Sequence, residues 1–437
     1  MQISVFGLGY VGAVSAGCLA ASGHTVIGVD INPQKVDCIN GGQAPIIEPE
    51  IDALIEEGVR KGRLSATTDA GHAVLNSDVS LVCVGTPSLP NGNLDSSHVE
   101  SACAEIGGAL RRKVTPHLVV IRSTLLPGTT DALLIPRLET TSGRRHGPEL
   151  GVCYNPEFLR EGSSVKDFYN PPKIVIGQDD AANGRTVAEM YTGLEAPVVR
   201  TSIRTAEMVK YVDNAFHALK VSFANEIGNI CKQASVDSHE VMSIFCMDRK
   251  LNLSPAYLKP GFAFGGSCLP KDLRALTYQA RRFDLESPVL GAILASNGHQ
   301  IRLGVERAIG FGKKRIGFVG MSFKPASDDL RESPLVAMIE TLLGKGYAVR
   351  VFDPYVSMNR LVGANRKYVA EHLPHLSSLL VDSLEELMAA SEVLVLGHAS
   401  EHARAATLAA RPEQIVLDLV GGARDLRTAG RYVGMSW

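Results

Sequence analysis

Residues 2–12 have the sequence Gln-Ile-Ser-Val-Phe-Gly-Leu-Gly-Tyr-Val-Gly, a short apolar run that leads into a glycine-rich turn. The apolar run predicts a β-strand, and the apolar segment Val14 to Ala21 predicts a helix directly after the turn. Gly7, Gly9 and Gly12 form a G-x-G-x-x-G pattern between the two. Strand, glycine turn and helix in this order are typical of a βαβ unit that binds a dinucleotide.

The three glycines and the next strand carry the chemistry of such a unit. Gly7 permits the tight turn, Gly9 lets a pyrophosphate approach the backbone, and Gly12 lets the helix pack on the strand. Asp30 ends the next strand at about the 20-residue offset where an acid binds the adenosine ribose. Because Asp30 would repel a 2′-phosphate, the sequence favours NAD over NADP. Lys35 could reach the adenosine side, although an ordinary solvated lysine explains it equally well.

Apolar runs alternate with helical patterns at both ends of the chain. The candidate strands are Gln2–Phe6, Thr25–Asp30, Val79–Val84, Leu118–Ile121, Gly151–Tyr154, Arg315–Val319, Ala348–Asp353, Val393–Leu396 and Ile415–Asp418. Between Ile203 and Arg302, helical periodicity replaces the strand patterns. We therefore predict an α/β protein with two Rossmann-like doubly wound parallel-sheet domains, joined by a long central helix and a small helical region. The predicted domains are residues 1–202, 203–302 and 303–437.

Composition excludes several classes of function. The 437 residues carry a formal net charge of −2, so the chain lacks the positive field of a protein that binds nucleic acid or anionic membranes. No run approaches the roughly 20 apolar residues of a membrane span, and a strand rather than a leader is predicted at the start. The eight cysteines occur singly, without metal-ligand spacing. We therefore expect no metal site and a reduced, cytoplasmic protein.

One cysteine lies in an unusual segment. Residues 261–272, Gly-Phe-Ala-Phe-Gly-Gly-Ser-Cys-Leu-Pro-Lys-Asp, contain three glycines that predict a tight loop open to a ligand; we call residues 261–268 the thiol loop. Cys268 precedes a predicted helix start at Lys271-Asp272, and both the helix start and the lysine would lower the thiol pKa. Most free cysteines are inert core residues, but this setting makes Cys268 the preferred nucleophile.

A long helix is predicted from Ile203 to Ala234. At about 100° per residue, one stripe roughly 80° wide carries Lys210, Asn214, His217, Val221 and Asn225. Polar helix residues usually face solvent, but asparagine and histidine among aromatic and β-branched neighbours are typical of a site lining. Lys210 could stabilise a developing oxyanion, with Asn214 donating beside it.

Hydroxyl and carboxyl side chains follow three of the predicted strands. Thr86 and Thr124 each come just after a strand, where ligands bind in such sheets, so both are candidate cofactor contacts. Each could equally be an ordinary turn or cap residue. Glu157 and Glu161 follow a later strand, and one of them could be a general base. The alternative for these carboxylates is surface pairing with Arg160.

Seven motifs follow one another along the chain: FGLGYVG (6–12), CVGTP (83–87), RSTLLPG (122–128), NPEFLREG (155–162), AEMVKYVDNAFHALKVSFANEIG (206–228), PGFAFGGSCLPKD (260–272) and GMSFKPASDDLRESP (320–334). In this combination the chain resembles the UDP-glucose/GDP-mannose dehydrogenase family over essentially its whole length. FHALKVSFANEIGNI, RKLNLS, PGFAFGGSCLPKD and HLPHLSSLLV are most similar to the members that act on GDP-mannose.

The resemblance implies an NAD-dependent, four-electron oxidation of the C6 hydroxymethyl group of a sugar nucleotide, with GDP-mannose favoured. The alcohol would give a hydride to a first NAD⁺, and the aldehyde would then add to Cys268 as a thiohemiacetal. A second hydride would leave, and water would hydrolyse the resulting thioester. The C-terminal domain would bind the sugar nucleotide.

The resemblance also implies roles for individual residues. Lys210, Asn214 and Asp272 would handle oxyanions and protons, and Glu157, helped by Thr124, would be the base or position the water. The expected NAD contacts are Gly7, Gly9, Tyr10, Val11, Gly12, Asp30, Lys35, Thr86, Thr124, Lys271 and Arg331. The expected substrate contacts are Glu161, Lys210, Asn214, His217, Asn225, Tyr257, Lys259, Phe262, Gly265 and Lys324. Two solvated loop cations are the alternative for Lys324 and Arg331.

Residues 256–259, Ala-Tyr-Leu-Lys, depart from the pattern of the GDP-mannose enzymes, where a tyrosine pair and then an arginine are expected. These positions would reach the substrate, partly across a subunit interface, and they lack one aromatic face and a guanidinium fork. UDP-glucose therefore stays open as the alternative substrate.

Two further classes of function stay open. A non-catalytic dinucleotide-binding regulator would have no use for the nucleophile in the thiol loop, which argues against it. A two-electron alcohol or hydroxy-acid dehydrogenase would form one NADH per substrate instead of two. The expected partners are a sugar nucleotide and further copies of the chain, as a homodimer or higher homo-oligomer, with no nucleic acid and no membrane.

Overall fold

The computed structural model describes residues 1–249, 258–282, 284, 287–356 and 376–437. Contacts divide the chain into two units, Met1–Asp213 and Asn214–Trp437. The boundary between the two falls inside a long helix. The three predicted domains, 1–202, 203–302 and 303–437, are a finer division, which stays a prediction.

The first unit is built on one eight-stranded sheet. Its strands are β1 (Gln2–Phe6), β2 (Thr25–Val29), β3 (Leu64–Thr67), β4 (Val79–Val82), β5 (His117–Ile121), β6 (Leu150–Tyr154), β7 (Ile174–Gln178) and β8 (Val198–Thr201). They lie in the order β3-β2-β1-β4-β5-β6-β7-β8. The strand order reverses between β1 and β4, and ligands bind at the carboxyl ends of the strands at such a point.

One pair of neighbours breaks the parallel pattern. Strand β7 runs antiparallel to β6, with Cys153 opposite Gln178 and Tyr154 opposite Gly177. The segment that joins the two strands, residues 155–173, therefore begins and ends at the carboxyl edge of the sheet. That segment contains NPEFLREG, so the topology brings both of its glutamates to the edge where a dinucleotide would bind.

Helices cover both faces of this sheet. They are α1 (Tyr10–Ala21), α2 (Pro33–Asn40), α3 (Ile51–Arg60), α4 (Ala70–Leu75), α5 (Ser97–Leu110), α6 (Ile135–Ser142), α7 (Ser164–Tyr169) and α8 (Ala181–Glu189), with a π-helical turn at Thr130–Leu134. Ile3 and Val5 of β1 pack with α1 and α3 in one core layer. Phe6 packs with α5 in the other. Each buried side chain of this size contributes about 2 kcal/mol.

The second unit contains a five-stranded sheet. Its strands are β9 (Arg315–Val319), β10 (Ala348–Phe352), β11 (Val393–Leu396), β12 (Ile415–Asp418) and β13 (Arg431–Gly434). They are all parallel, in the order β10-β9-β11-β12-β13. The helices of this part are α13 (Pro334–Gly344), α14 (Leu376–Leu379), α15 (Leu384–Ala390) and α16 (Glu401–Leu408).

The middle of the chain is helical, as predicted. Its helices are α9 (Ile203–Gln233), α10 (Ser238–Phe245), α11 (Leu269–Arg282) and α12 (Pro288–Gly310). Helix α9 has 31 residues and spans the boundary between the two units. Within the described part of residues 203–310, no strand occurs.

The predicted fold class is confirmed, with small differences at strand ends. Four predicted strands coincide with β1, β9, β11 and β12, whereas the strands that start at Thr25, Val79 and Ala348 end one or two residues earlier than predicted. Strands β3, β7, β8 and β13 were not predicted. Among the residues that the structure describes, none of the helices combines the length and hydropathy that crossing a membrane requires.

Candidate active site

The glycine turn after β1 has the geometry of a dinucleotide cradle. Gly7 has a φ of +93°, and its N–H donates to Val29 O at 2.7 Å. A Cβ on Gly12 would lie 1.7 Å from Gly7 O, so α1 approaches the turn too closely for any side chain. A Cβ on Gly9 would meet nothing within 4 Å, which leaves open space before the N-terminus of α1. Tyr10 and Val11, both half-buried, form the first turn of that helix. Open space at a helix N-terminus fits a diphosphate.

Asp30 ties this turn to the segment after β2. The carboxylate, 9% exposed, accepts hydrogen bonds from Leu8 N at 2.8 Å and from Asn32 N at 2.9 Å. The Lys35 ammonium lies 3.0 Å from the same carboxylate. The structure therefore brings the two predicted adenosine-side residues together as an ion pair. A carboxylate fixed at this position fits the ribose of an NAD molecule whose diphosphate lies on α1.

The threonines after β4 and β5 lie side by side. Thr86 Oγ1 donates to Thr124 O at 3.0 Å, and Ser123 Oγ donates to Val84 O at 2.7 Å. These bonds join the two loops at the carboxyl edge of the sheet, where β4 is the neighbour of β1. The structure thus brings together two residues predicted to contact the cofactor.

Glu157 and Lys210 form a buried ion pair. Glu157 Oε1 and Lys210 Nζ are 2.7 Å apart, and the two side chains are 7% and 5% exposed. Burial by itself raises the pKa of Glu157, but the Lys210 ammonium and the Leu159 backbone N–H lower it below its ordinary value. Glu157 is therefore ionised at neutral pH. Arg160 forms an ion pair with Asp167 at 2.6 Å.

The loop that carries Glu157, residues 155–162, is held at its beginning by a network that the sequence did not predict. Arg122 Nη1 donates to Asn155 Oδ1 at 2.6 Å and to Tyr191 OH at 2.7 Å. Asn155 Nδ2 donates to Val175 O at 2.8 Å on β7. Because Asn155 lies two residues before Glu157, these bonds fix the start of its loop.

The end of the same loop is held by Glu48. Its carboxylate accepts hydrogen bonds from Gly162 N and Ser164 N, each at 2.8 Å. Glu48 is 5% exposed and lies more than a hundred residues away in sequence. The half-buried Glu161 directly precedes this anchor. The sequence predicted this supporting role neither for Glu48 nor for Arg122, although Arg122 lies in the motif RSTLLPG.

In the second unit, Cys268 directly precedes helix α11 and is exposed. All eight cysteines are described and none forms a disulfide; the other seven are buried or half-buried. Burial raises the pKa of Cys18, Cys83, Cys103 and Cys153 to about 12. Cys268 is therefore the most exposed of these thiols and lies at a helix start; its role as the nucleophile stays a prediction.

Asp272 lies one turn into α11, and its N–H donates to Cys268 O at 2.9 Å. Asn214 Nδ2 donates to the Asp272 carboxylate, which is 1% exposed. Lys271 Nζ lies 3.2 Å from the same carboxylate. The structure thus places Asn214 of α9 beside Asp272 and Lys271, which lie in the first turn of α11, the helix that directly follows Cys268. It also pairs two of the three residues predicted to handle oxyanions and protons.

Residues predicted to contact the substrate are found in different surroundings. Asn225 uses its side-chain oxygen and nitrogen on the backbone of the thiol loop, at Gly261 N (2.9 Å) and Phe262 O (3.0 Å). The Phe262 side chain belongs to the core of the second unit. His217 is half-buried on α9, and Lys259 is exposed. Tyr257 and Ala256 lie outside the described residues. These substrate roles stay predictions.

The loop after β9 packs against the thiol loop within the second unit. A Cβ on Gly265 would lie 2.4 Å from Glu332 O, and one on Gly266 would lie 2.7 Å from the Phe323 ring. Lys324 Nζ lies 5.4 Å from the centroid of the Phe323 ring. Arg331 Nε donates to Asp329 at 2.8 Å. Both loop cations therefore have local partners instead of being merely solvated, and their binding roles stay predictions.

Family models match three successive parts of the chain. They are the NAD binding domain of the UDP-glucose/GDP-mannose dehydrogenase family at residues 1–195, its central domain at residues 204–299 and its UDP binding domain at residues 317–421. Together they account for most of the 437 residues.

Individual proteins match over most or all of their length. The chain is 53% identical to GDP-mannose 6-dehydrogenase of Pseudomonas aeruginosa over 92% of each chain. It is 49% identical to GDP-mannose 6-dehydrogenase of Pseudomonas putida over 100% of each chain. A solved structure of a UDP-glucose dehydrogenase from Pyrobaculum islandicum superposes with a TM-score of 0.89 at 35% identity, covering 100% of this chain and 97% of the other.

Proposed function

The chain belongs to the UDP-glucose/GDP-mannose dehydrogenase family, and we propose that it oxidises the C6 hydroxymethyl group of GDP-mannose to a carboxylate with two NAD⁺. One observation carries the reaction type: Cys268, the exposed cysteine, directly precedes a helix whose first turn contains the buried Asp272, which is hydrogen-bonded to Asn214. The chain is 53% and 49% identical to two GDP-mannose 6-dehydrogenases, over 92% and 100% of its length. This similarity supports the choice of sugar nucleotide.

The first unit holds the cofactor. The turn from Gly7 to Gly12 gives backbone N–H groups and a helix N-terminus to the diphosphate, and Asp30 accepts from the ribose hydroxyls. Bound NAD⁺ supplies the hydride acceptor for both two-electron oxidations. Thr86 and Thr124, bonded to each other at the carboxyl edge, line the same cradle. Tyr10, Val11, Lys35, Lys271 and Arg331 are the further proposed contacts.

Cys268 is the nucleophile of the second oxidation. Its thiolate sulfur adds to the carbonyl carbon of the intermediate aldehyde, and the carbonyl oxygen becomes an alkoxide that is protonated to a thiohemiacetal. Loss of a hydride from that carbon, together with loss of the hydroxyl proton, leaves a thioester on Cys268. Water then adds to the thioester carbon, the C–S bond breaks, and the carboxylate and the free thiol are released.

Lys210 and Asn214 stabilise the oxygen of these tetrahedral species. They are four residues apart on helix α9 and therefore project from adjacent turns on one face. An ammonium and an amide N–H aimed at a developing oxyanion lower the barrier because the charge forms only in the transition state. Asp272 orients Asn214 through their hydrogen bond.

Glu157 serves as the general base for water. Its pKa lies below the ordinary glutamate value, so the carboxylate is ionised and able to accept a proton. Thr124 assists in positioning that water. Glu161, His217, Asn225, Lys259, Phe262, Gly265 and Lys324 are the proposed sugar-nucleotide contacts among the described residues.

UDP-glucose is the second candidate substrate. The structural match to a UDP-glucose dehydrogenase and the departure at residues 256–259 favour it. The test is to incubate the purified chain and NAD⁺ with each sugar nucleotide at the same concentration. The proposal expects NADH and a uronate product from GDP-mannose. Turnover of UDP-glucose alone would overturn the GDP-mannose assignment.

The functional assembly is a homodimer in the cytoplasm. Helix α9 exposes Met208, Val212, Phe216 and Phe223, which are 41%, 52%, 39% and 42% exposed. At about 100° per residue these side chains share one stripe, on the side of the helix away from Lys210 and Asn214. An exposed apolar stripe of this kind is typical of a protein–protein interface. Light scattering on the wild type and on Phe216→Ser/Phe223→Ser tests it; a monomeric wild type would contradict the proposal.

A further inference from the structure

Side-chain amides of two helices hold the backbone of the thiol loop. On α12, Asn297 Oδ1 accepts from Phe264 N at 2.8 Å, and Asn297 Nδ2 donates to Phe264 O at 2.8 Å. One turn further on, Gln300 Nε2 donates to Gly261 O at 2.5 Å. Asn297 and Gln300 are 9% and 2% exposed. None of the sequence motifs that point to a function contains these two residues.

Helix α9 completes this set of contacts. Asn225 accepts from Gly261 N and donates to Phe262 O, so three amide side chains satisfy five backbone groups of the loop. On the other side of the loop, Gly265 and Gly266 fit closely against Glu332 and Phe323. A segment with three glycines gains many backbone conformations when such bonds are removed, because glycine restricts the chain least.

From this geometry we propose that Asn297 and Gln300 are positioning residues that hold the thiol loop so that Cys268 stands at the N-terminus of α11. In this proposal, the two side chains act through their hydrogen bonds to the backbone of Gly261 and Phe264. They need no direct contact with the thiol or with a bound substrate. The helix N-terminus stabilises negative charge within its first turn, so a small displacement of Cys268 removes part of that stabilisation of the thiolate. The turnover part of the test rests on the proposed function, but the alkylation part does not.

Three variants of the full-length protein test this role. Asn297→Asp keeps the oxygen that accepts from Phe264 N–H and removes the donor to Phe264 O. Gln300→Met keeps the length of the side chain and removes the donor to Gly261 O. His299→Ala, at an exposed position of the same helix, is the matched control.

The first measurement is the rate at which iodoacetamide alkylates Cys268, followed by mass spectrometry of the peptide. Because the thiol is already exposed, a looser loop adds little access, and lost thiolate stabilisation slows the reaction by about three- to tenfold in Asn297→Asp and Gln300→Met. His299→Ala keeps the wild-type rate. Wild-type alkylation rates in both folded loop variants would overturn the proposal, even if their melting temperatures fall, since a purely structural role predicts that outcome. If Asn297→Asp does not fold, Gln300→Met alone decides.

The second measurement is steady-state turnover. The proposal expects kcat to fall by about tenfold or more in the loop variants and KM for NAD⁺ to change by less, since most of the proposed NAD⁺ contacts lie in the first unit. A rise in KM for NAD⁺ with kcat preserved would contradict it. If the wild type fails to oxidise either sugar nucleotide, the proposed function fails, and the alkylation rates still decide the role of Asn297 and Gln300.

Discussion

The carboxylate of Glu157 and the ammonium of Lys210 lie 2.7 Å apart in the interior of the first unit, with less than a tenth of either side chain exposed. Each charge alone would be costly to bury, and each compensates the other. The pair also connects the loop after β6 to helix α9, so the proposed base and the proposed oxyanion donor are fixed in one arrangement.

The first prediction concerns the stability that this pair provides. Glu157→Gln removes the carboxylate and leaves the Lys210 ammonium buried beside a neutral amide. We expect the free energy of unfolding to fall by about 3 kcal/mol, as for other buried pairs that lose one partner. Urea unfolding followed by circular dichroism measures the change. The double variant Glu157→Gln/Lys210→Met removes both charges and should recover part of the loss; equal or greater loss in the double variant would contradict this explanation.

The second prediction concerns pH. The pKa of Glu157 is lower in the folded protein than its ordinary value, so the unfolded chain binds more protons between the two values. The free energy of unfolding therefore rises with pH through that window. The contribution of Glu157 to it is fully present above the ordinary glutamate pKa and is lost as the pH falls through the lowered pKa of the folded protein. Urea midpoints measured across the acidic range should fall less steeply in Glu157→Gln/Lys210→Met than in the wild type. Identical slopes would show that Glu157 does not contribute.

The third prediction compares two glycines of the same turn. Gly12→Ala places a Cβ 1.7 Å from Gly7 O, so the turn must open. The free energy of unfolding should therefore fall by at least about 2 kcal/mol. Gly9 has a φ of −82° and open space around its Cβ position. Gly9→Ala should therefore fold normally but bind NAD⁺ at least about tenfold more weakly, because the methyl group occupies the space of the diphosphate. Thermal melting and NAD⁺ titration separate the two effects.

The fourth prediction concerns thiol reactivity. Iodoacetamide should modify Cys268 first, because it is exposed at a helix N-terminus. Cys18, Cys83, Cys103 and Cys153 are buried with a pKa raised to about 12, so they should stay unmodified in the folded protein. Peptide mass spectrometry over time distinguishes the sites. Early labelling of any of those four buried cysteines would contradict the assignment of Cys268 as the reactive thiol.

The fold was predictable where strands are central and apolar, and less so at the edges of the sheets. Three of the four strands without a prediction, β3, β8 and β13, are edge strands. Such strands bury only part of their side chains: Val198 and Val199 of β8 are 44% and 46% exposed. A short edge strand therefore has a weak apolar pattern, and its pairing depends on the strand already in place beside it.

The site was predictable where chemistry shapes the local sequence. Three features lie in sequence patterns that are typical of ligand binding or catalysis: the glycines of the first turn, Asp30 after β2 and Cys268 before α11. Glu48 lies in none of the quoted motifs, and Arg122 begins the motif RSTLLPG, which gives no sign of the hydrogen bonds that Arg122 forms. Their partners lie 116 and 33 residues away along the chain. Supports of this kind become visible only when the fold brings distant segments together.

The number of NADH molecules formed per sugar nucleotide tests the central claim most directly. A limiting amount of GDP-mannose should be converted by the wild type into the uronate with two NADH per sugar. Cys268→Ser should form at most one NADH per sugar and no uronate. One NADH per sugar from the wild type, or unchanged uronate formation by Cys268→Ser, would contradict the four-electron reaction through Cys268.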